Sequence, residues 1–145
     1  MFLGQYSHTI DEKGRTTIPV RYREWLTDGA YITQGFDQNL IVLTASAFEQ
    51  IYQRINQMSI TDPNARLLRR LMFASAERVE IDRVGRFLIP QFLRDAAQLQ
   101  ETAMLVGAGG HFEIWSPELW KQQETLLQDA EARADRFSAL NLAVG

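Results

Sequence analysis

The chain lacks cysteine altogether, so disulfide bonds and thiolate chemistry are excluded. Long apolar runs are also missing, which excludes a membrane-spanning helix of the roughly 20 apolar residues that a bilayer requires. The first residues carry neither a charged leader nor an extended apolar segment, and this favours a cytoplasmic protein with no membrane partner. No tract is of low complexity, and with 46% hydrophobic residues the composition predicts a compact fold.

Basic residues are outnumbered by acidic ones, which gives a net charge of −3. Taken over the whole chain, this charge argues against a polyanionic partner. The distribution is uneven, however. Residues 1–76 hold eight Lys/Arg against seven Asp/Glu, whereas residues 77–145 hold seven against eleven. Four basic residues and no acid lie between Lys13 and Arg23. Since binding to a polyanion depends on the local field at the contacting face, such a segment is compatible with nucleic-acid binding.

Two similar decapeptides occur in the chain, IDEKGRTTIP at residues 10–19 and IDRVGRFLIP at residues 81–90. When Asp11 is aligned with Asp82, seven of fourteen positions are identical. The identical pairs are Ile10/Ile81, Asp11/Asp82, Gly14/Gly85, Arg15/Arg86, Ile18/Ile89, Pro19/Pro90 and Arg23/Arg94. Each half of the chain is therefore predicted to be one supersecondary unit of the same kind.

The predicted repeats are residues 1–76, with a linking helix, and residues 77–145, with a C-terminal helix. In each repeat a strand leads through a tight turn into a returning strand, and a proline then begins a short helix. Two more strands and a longer helix follow. Because a hairpin with about four residues per arm is marginal alone, the halves are expected to pair about a pseudo-twofold axis. The further strands are predicted around residues 31–34, 40–43, 104–107 and 112–115.

Three capping signals predict where the longer helices begin. They are Ser46 with Glu49 in capping-box spacing, Asp62 before Pro63, and Ser116 before Pro117. The linking helix also carries Arg66, Arg69 and Arg70 on one side. A solvated face is the simpler interpretation of these arginines, and a second nucleic-acid contact is the alternative.

The repeated turn carries the candidate site. Asp11 and Asp82 suit its first position because a carboxylate accepts nearby backbone N–H groups, and Gly14 and Gly85 suit its last because glycine tolerates positive φ. An aspartate four residues before an arginine has two interpretations, an ion pair that pins the turn or a nucleic-acid contact by the arginine. Both hold if the aspartate orients a guanidinium that binds.

The start MFLGQYSHTIDEKGRTTIP, the twin Asp-x-x-x-Arg motifs at residues 11–15 and 82–86, and the Ile-Pro that follows each motif resemble the MraZ family over essentially the whole chain. With the repeats, this resemblance implies an α+β fold in which two β-hairpin/helix repeats form a small swapped-hairpin barrel of the AbrB/MazE type with flanking helices.

The resemblance also implies a function. It predicts a cytoplasmic, nucleoid-associated bacterial transcriptional regulator, either repressor or activator, that binds double-stranded DNA. The expected operator is a set of direct repeats upstream of its own operon, the cluster for cell division and cell-wall synthesis. A ring-shaped homo-oligomer is expected as the assembled form.

Carried over by position, the family's DNA-contacting arginine falls on Arg15 and, in the second copy, on Arg86. A guanidinium is permanently charged and binds phosphate or the guanine edge through a planar fork, and a two-stranded ribbon can enter the major groove. Thr16 and Thr17 add hydroxyl groups that are predicted to hold phosphate. Several such hairpins on one ring would raise affinity through multivalency.

The two turns differ in where their remaining basic residue lies. The first turn has Glu12-Lys13 where the second has Arg83-Val84, so the charge is displaced by one position. Lys13 and Arg83 are both predicted to lie beside the DNA, but unequal participation of the two halves is expected.

An enzyme is the first rival interpretation. His8 and His111 are far apart in sequence, without metal-ligand spacing or an evident carboxylate partner. The glycine-rich residues 107–110 connect two strands and lack phosphate-loop spacing, so a hairpin turn is predicted there. We therefore expect no catalysis, metal ion, cofactor or small-molecule substrate.

A scaffold or antitoxin-like protein is the second rival. The segment SALNLAVG after Phe137 is apolar enough to bind a partner, although a neighbouring subunit would satisfy it equally. An antitoxin would co-purify with a second chain, and this stoichiometry separates the two functions.

Overall fold

The computed structural model describes residues 1–143, so Val144 and Gly145, the end of the predicted apolar tail, lie outside the described residues. The strands are β1 Gln5–Thr9, β2 Arg15–Thr17, β3 Ala30–Gln34, β4 Leu40–Thr44, β5 Glu77–Arg78, β6 Arg86–Leu88, β7 Thr102–Gly107 and β8 His111–Trp115. The α-helices are α1 Val20–Arg23, α2 Ala45–Asn56, α3 Pro63–Arg69, α4 Gln91–Ala96, α5 Pro117–Gln128 and α6 Ala130–Phe137. Short 3₁₀ turns follow α1 and α6, and a π-helical turn follows α3.

Six strands form one antiparallel sheet in the order β1-β7-β8-β4-β3-β5, and β2 and β6 form a separate two-stranded ribbon. The predicted α+β class is therefore confirmed. Strands β1 and β5 are the edges of the sheet, so residues 1–143 contain no closed barrel. The four further strands occur where the sequence predicted them, and residues 107–110 form a turn between β7 and β8.

The predicted hairpin between β1 and β2 is wrong in its pairing. The two strands leave opposite sides of the first turn, but β1 pairs with β7 and β2 pairs with β6, both from the other repeat. Only the turn itself is closed locally, by bonds from the Asp11 N–H to the Arg15 carbonyl and from the Gly14 N–H to the Asp11 carbonyl, both 2.9 Å. The tight turn satisfies only a few backbone groups of these short arms, and strands of the other repeat satisfy the rest.

The exchange of strands follows a pseudo-twofold axis. Strand β1 pairs with β7 as β5 pairs with β3, β2 pairs with β6, and β4 pairs with β8. The registers also correspond, because Ser7 lies opposite Met104 while its counterpart Arg78 lies opposite Tyr31. The expected pairing of the two halves is confirmed.

The two repeats share one apolar core, to which both the sheet and the ribbon contribute. Ile18 and its counterpart Ile89 are fully buried in this core. Tyr22 is buried beside them, and its hydroxyl donates to the carbonyl oxygens of Leu3 at 2.8 Å and Gly4 at 3.2 Å. Burial raises the pKa of Tyr22 to about 12, so the hydroxyl remains a donor at neutral pH and ties the N-terminal segment to the core.

Two predicted helix starts are confirmed. At the start of α3 the Asp62 carboxylate accepts the N–H of Asn64, and at the start of α5 the Ser116 hydroxyl accepts the N–H of Leu119. No helix among residues 1–143 is long and apolar enough to cross a bilayer.

The predicted capping box at Ser46 and Glu49 is wrong. Thr44 caps α2 instead, and its hydroxyl accepts the N–H of Ala47 at 3.1 Å. The reason is that β4 runs into α2 without a loop, so the last residue of the strand serves as the cap.

Candidate nucleic-acid interface

The first repeated turn is closed by the carboxylate of Asp11. Its Oδ1 accepts the backbone N–H groups of Lys13 and Arg15 at 3.0 and 2.9 Å. Its Oδ2 accepts the Nε–H of the Arg15 guanidinium at 2.9 Å. Gly14 completes the turn at a φ of +86°, in the left-handed region that favours glycine. The ion pair considered from the sequence is therefore present.

The second turn has the same geometry. The Asp82 Oδ1 accepts the N–H groups of Val84 and Arg86 at 3.1 and 2.8 Å, and its Oδ2 accepts the Arg86 Nε–H at 2.9 Å. In both turns the backbone N–H of the arginine is the main cause that lowers the pKa of the aspartate below its usual value. Each turn thus holds an ionised pair at neutral pH.

The ribbon presents both of these arginines on one face. Arg15 lies opposite Leu88 and Thr17 lies opposite Arg86, and directly opposite residues of an antiparallel pair share a face. The arginine side chains are 31% and 37% exposed. Within residues 1–143 each guanidinium donates only through Nε, to its aspartate. The two terminal amino groups of each arginine therefore stay available on an outward surface, which we call the ribbon face and define by Arg15, Thr17, Arg86 and Leu88.

Thr16 lies on the opposite side of the ribbon, where it faces Phe87 and is 1% exposed. Its hydroxyl therefore does not reach an approaching phosphate, and its predicted role is wrong. Side chains alternate along a strand, so the outward direction of Arg15 and Thr17 forces the residue between them into the core.

The remaining basic residues of the turns are exposed. Lys13 in the first turn and Arg83 in the second both lie at the protein surface. Val84, which aligns with Lys13, is 61% exposed and apolar. The two turns therefore share their backbone geometry but offer different surfaces to a ligand.

A family model described as "MraZ protein, putative antitoxin-like" matches the chain twice, over residues 1–71 and residues 72–140. The chain belongs to the MraZ family. The resemblance seen in the sequence is thereby confirmed, and the double match agrees with the repeat.

Three named members of the MraZ family show how close the similarity is. Transcriptional regulator MraZ of Herpetosiphon aurantiacus is 42% identical over 143 residues, which cover 98% of this chain and 100% of that protein. Its counterpart in Roseiflexus castenholzii is 41% identical over 138 residues, 95% and 94% of the two chains. The one in Thermomicrobium roseum is 41% identical over 141 residues, 97% and 99% of the two chains.

Two arginines of this MraZ-family chain contact the turns although the sequence assigned them no role. The guanidinium of Arg94, in α4, lies against Gly14, and that of Arg23, in α1, lies against Gly85. Their identity within the repeat was the signal that could have found them. Each of these contacts crosses from one repeat to the other.

Two of the three arginines predicted on one side of the linking helix, Arg66 and Arg69, bind backbone carbonyls, whereas Arg70 is exposed. Arg69 Nη2 donates to the carbonyl oxygens of Ile55 at 3.3 Å and Met58 at 2.6 Å, and Arg66 Nη1 donates to the carbonyl of Ile60 at 3.0 Å. The first of these bonds adds a second donor to a carbonyl near the end of α2, because Ile55 also accepts the N–H of Met58 at 3.0 Å. Neither of the interpretations drawn from the sequence foresaw this role.

His111 has a carboxylate neighbour, contrary to the expectation from sequence. Its Nε2 lies 3.8 Å from Oε2 of Glu113, two residues along β8. The contact with this imidazole, and a hydrogen bond from the indole of Trp115, lower the pKa of Glu113. Among residues 1–143, no three His, Cys, Asp or Glu side chains are arranged to hold a metal ion.

Proposed function

We propose that this chain is a sequence-specific, DNA-binding transcriptional regulator, and that it is not an enzyme and uses no cofactor, metal ion or small-molecule substrate. The ribbon face carries the proposal, because its two arginines are oriented by aspartates and keep their terminal amino groups available. The names of the relatives point the same way. The proposed contact residues are Arg15, Arg86, Lys13, Arg83 and Thr17, and Asp11, Gly14, Asp82 and Gly85 shape the turns.

The proposed contacts follow from guanidinium chemistry. The terminal amino groups of an arginine bind the O6/N7 edge of guanine or a phosphate in a planar, two-point fashion. Since Asp11 already fixes the Nε of Arg15, this side chain loses less rotamer freedom on binding than an unrestrained arginine. Beside Arg15 the ribbon face carries Leu88, an apolar side chain suited to the methyl group of thymine, whereas beside Arg86 it carries Thr17, a hydroxyl suited to phosphate.

One ribbon face makes few contacts, so high affinity requires several copies. We propose a ring-shaped homo-oligomer whose ribbon faces engage direct repeats in the promoter of its own operon, the cell-division and cell-wall cluster. Tethering several ribbons raises their effective concentration at the operator. Such a protein is proposed to be cytoplasmic and associated with the nucleoid.

The two repeats, residues 1–76 and 77–145, are proposed to act as the halves of one swapped-hairpin unit of the AbrB type. The exchange of β1 and β2 onto partners in the other repeat supports this.

The experiment is a comparison of promoter-DNA affinity for single arginine variants at moderate salt, with oligomer size checked for each. Arg15→Ala is expected to weaken binding by about 1–3 kcal/mol, the range for removal of one base-reading side chain. Arg86→Ala is expected to lose less, because its turn carries a different surface. Arg54→Ala, which removes an exposed arginine of α2, is the matched control and is expected to bind as wild type.

Two results would revise the proposal. Undiminished affinity in Arg15→Ala removes this residue from the interface. An equal or greater loss in Arg86→Ala shows that both repeats bind alike.

Binding of a protein partner is the second candidate function. It is favoured by exposed apolar side chains near the C-terminal end, where Phe137, Leu140 and Leu142 are 48%, 70% and 90% exposed. The family description as antitoxin-like agrees with it. Native mass spectrometry of the purified protein separates the two functions, because an antitoxin carries a second kind of chain and a ring carries only copies of itself.

A further inference from the structure

The first turn packs against an arginine of the other repeat. A Cβ atom built on Gly14 would lie 2.6 Å from Cζ of Arg94 and 2.7 and 2.9 Å from its two terminal nitrogens. The side chain of Arg94 makes one hydrogen bond among residues 1–143, from Nη2 to the Oε1 of Gln91 at 3.0 Å, and its Nε is buried without a partner. The packing of its guanidinium on the turn is therefore its main interaction.

The second turn has the mirrored contact. A Cβ atom built on Gly85 would overlap Cζ and Nη2 of Arg23 and lie 2.7 Å from its Nε. Arg23 Nε also donates to the carbonyl of Ile18 at 3.1 Å. The same arrangement thus occurs twice, each time with the arginine and the glycine in different repeats.

The backbone makes the same crossing. The Ile89 N–H donates to the Gly14 carbonyl at 2.9 Å, and the Ile18 N–H donates to the Gly85 carbonyl at 2.8 Å. Each turn glycine therefore has both its carbonyl and its open side in contact with the other repeat. Neither turn is supported by its own repeat alone.

Formal charge gives Arg94 a second contribution at the first turn. Residues 11–15 contain two acidic and two basic residues, so the charge of the first turn sums to zero. Residues 82–86 contain one acidic and two basic residues and sum to +1. Arg94 is therefore the residue that makes the first turn net positive, and attraction of a polyanion depends on that local charge.

We propose that Arg94 is a positioning residue for DNA binding by the first turn, and Arg23 for the second, so that each repeat completes the binding turn of the other. This inference rests on the proposed function of the ribbon face. The guanidinium holds the turn in place through its planar packing and adds positive charge beside the neutral Asp11–Arg15 pair. Lysine supplies the charge without the planar group, so the two contributions can be separated.

The test is a double-mutant cycle on promoter-DNA affinity with glutamine in place of arginine. Arg94→Gln is expected to weaken binding about 5- to 50-fold and to add little when Arg15→Gln is already present, because both act through the first turn. Combined with Arg86→Gln, its effect is expected to multiply. Arg23→Gln is expected to show the opposite pattern, coupled to Arg86→Gln and independent of Arg15→Gln.

Hydrogen exchange on the full-length protein without DNA gives an independent readout. In Arg94→Gln, peptides that cover residues 10–18 are expected to exchange faster, while peptides that cover residues 81–89 exchange as in wild type. Arg94→Lys is expected to recover part of the affinity while exchange in the first turn stays fast. Such a recovery of affinity would come from the positive charge of the lysine, because a purely structural role of Arg94 would not restore binding while the turn still exchanges fast. The lysine variant also serves if the glutamine variant does not fold.

The outcomes separate this inference from the proposed function. If Arg15→Gln binds DNA as wild type, the proposed role of Arg15 in the interface fails. Two other outcomes overturn only the inference that Arg94 supports the first turn. In the first, Arg15→Gln loses affinity while a folded Arg94 variant binds as wild type. In the second, the Arg94 variant couples to Arg86→Gln rather than to Arg15→Gln.

Discussion

At Gly14 the backbone adopts a φ of +86°, which a residue with a Cβ atom reaches at a cost of roughly 1–2 kcal/mol. The guanidinium of Arg94 also occupies the space that a Cβ would need. Gly109 has nearly the same φ, +84°, but nothing lies within 4 Å of a Cβ built there. Comparison of the two glycines therefore separates backbone strain from packing against the arginine.

Gly14→Ala is expected to lower the free energy of unfolding by more than Gly109→Ala. The second variant should lose only the backbone strain of about 1–2 kcal/mol, whereas the first must also displace Arg94. Denaturant unfolding of both variants measures the difference. Equal losses would show that the guanidinium moves aside at no cost, and that its contact with the turn is loose.

The carboxylates of the two turns make stability depend on pH in the acid range. Hydrogen bonds from the arginine backbone N–H, with further bonds from the guanidinium, lower the pKa of Asp11 and Asp82 in the folded protein. A carboxylate whose pKa is lower in the folded than in the unfolded protein stabilises the fold at pH values above its unfolded pKa, which is near 4. This stabilisation is lost as the pH falls through the folded pKa. The free energy of unfolding of wild type is therefore expected to fall more steeply below about pH 4 than that of Asp11→Asn/Asp82→Asn. Parallel pH profiles would contradict the role given to these carboxylates.

Local chemistry of the site is visible in the sequence, and non-local packing is not. The ion pair of Asp11 with Arg15 lies within the five residues of one tight turn, so its spacing alone indicated it. The burial of Thr16 depends on the pairing of β2 with β6, a strand that lies 71 positions later in the chain. The contact of Arg94 with Gly14 depends on the same pairing.

At the scale of elements, the start of α2 provides a test. Thr44→Ala removes the hydroxyl that accepts the Ala47 N–H and is expected to destabilise the protein by about 1 kcal/mol. Ser46→Ala, at the position of the wrongly predicted cap, is expected to change stability by less than about 0.5 kcal/mol. Thermal or denaturant unfolding of the two variants makes the comparison. A larger loss in Ser46→Ala would show that α2 begins at the later residue in solution.

The strands that pair with their sequence neighbours were the easy elements to predict. Strands β3 with β4, and β7 with β8, are apolar segments joined by short connections, so their positions followed from the sequence. The strands that flank the turns were predicted, but their pairing was wrong. A tight turn normally implies a hairpin, and only the competing ladder offered by the other repeat decides against it.

For the whole molecule, the exchange of strands means that neither repeat can complete its sheets alone. Residues 1–76 contain β1 and β2 but not their partners β7 and β6. Expressed alone, this segment is expected to be unfolded or to dimerise with a second copy of itself, and mixing it with residues 77–145 is expected to restore cooperative unfolding. Circular dichroism and sedimentation measure both. A folded monomer of residues 1–76 would contradict the interleaved fold.

The salt dependence of promoter-DNA affinity tests the central claim most directly, that the ribbon face contacts nucleic acid through Arg15 and Arg86. In wild type, log K is expected to fall linearly with log salt, with a slope of about −0.9 for each phosphate engaged. In Arg15→Gln/Arg86→Gln the affinity is expected to drop, and the slope is expected to become shallower by about 0.9 for each phosphate that the variant no longer engages. The same affinity and the same slope in a folded, fully assembled double variant would contradict the claim.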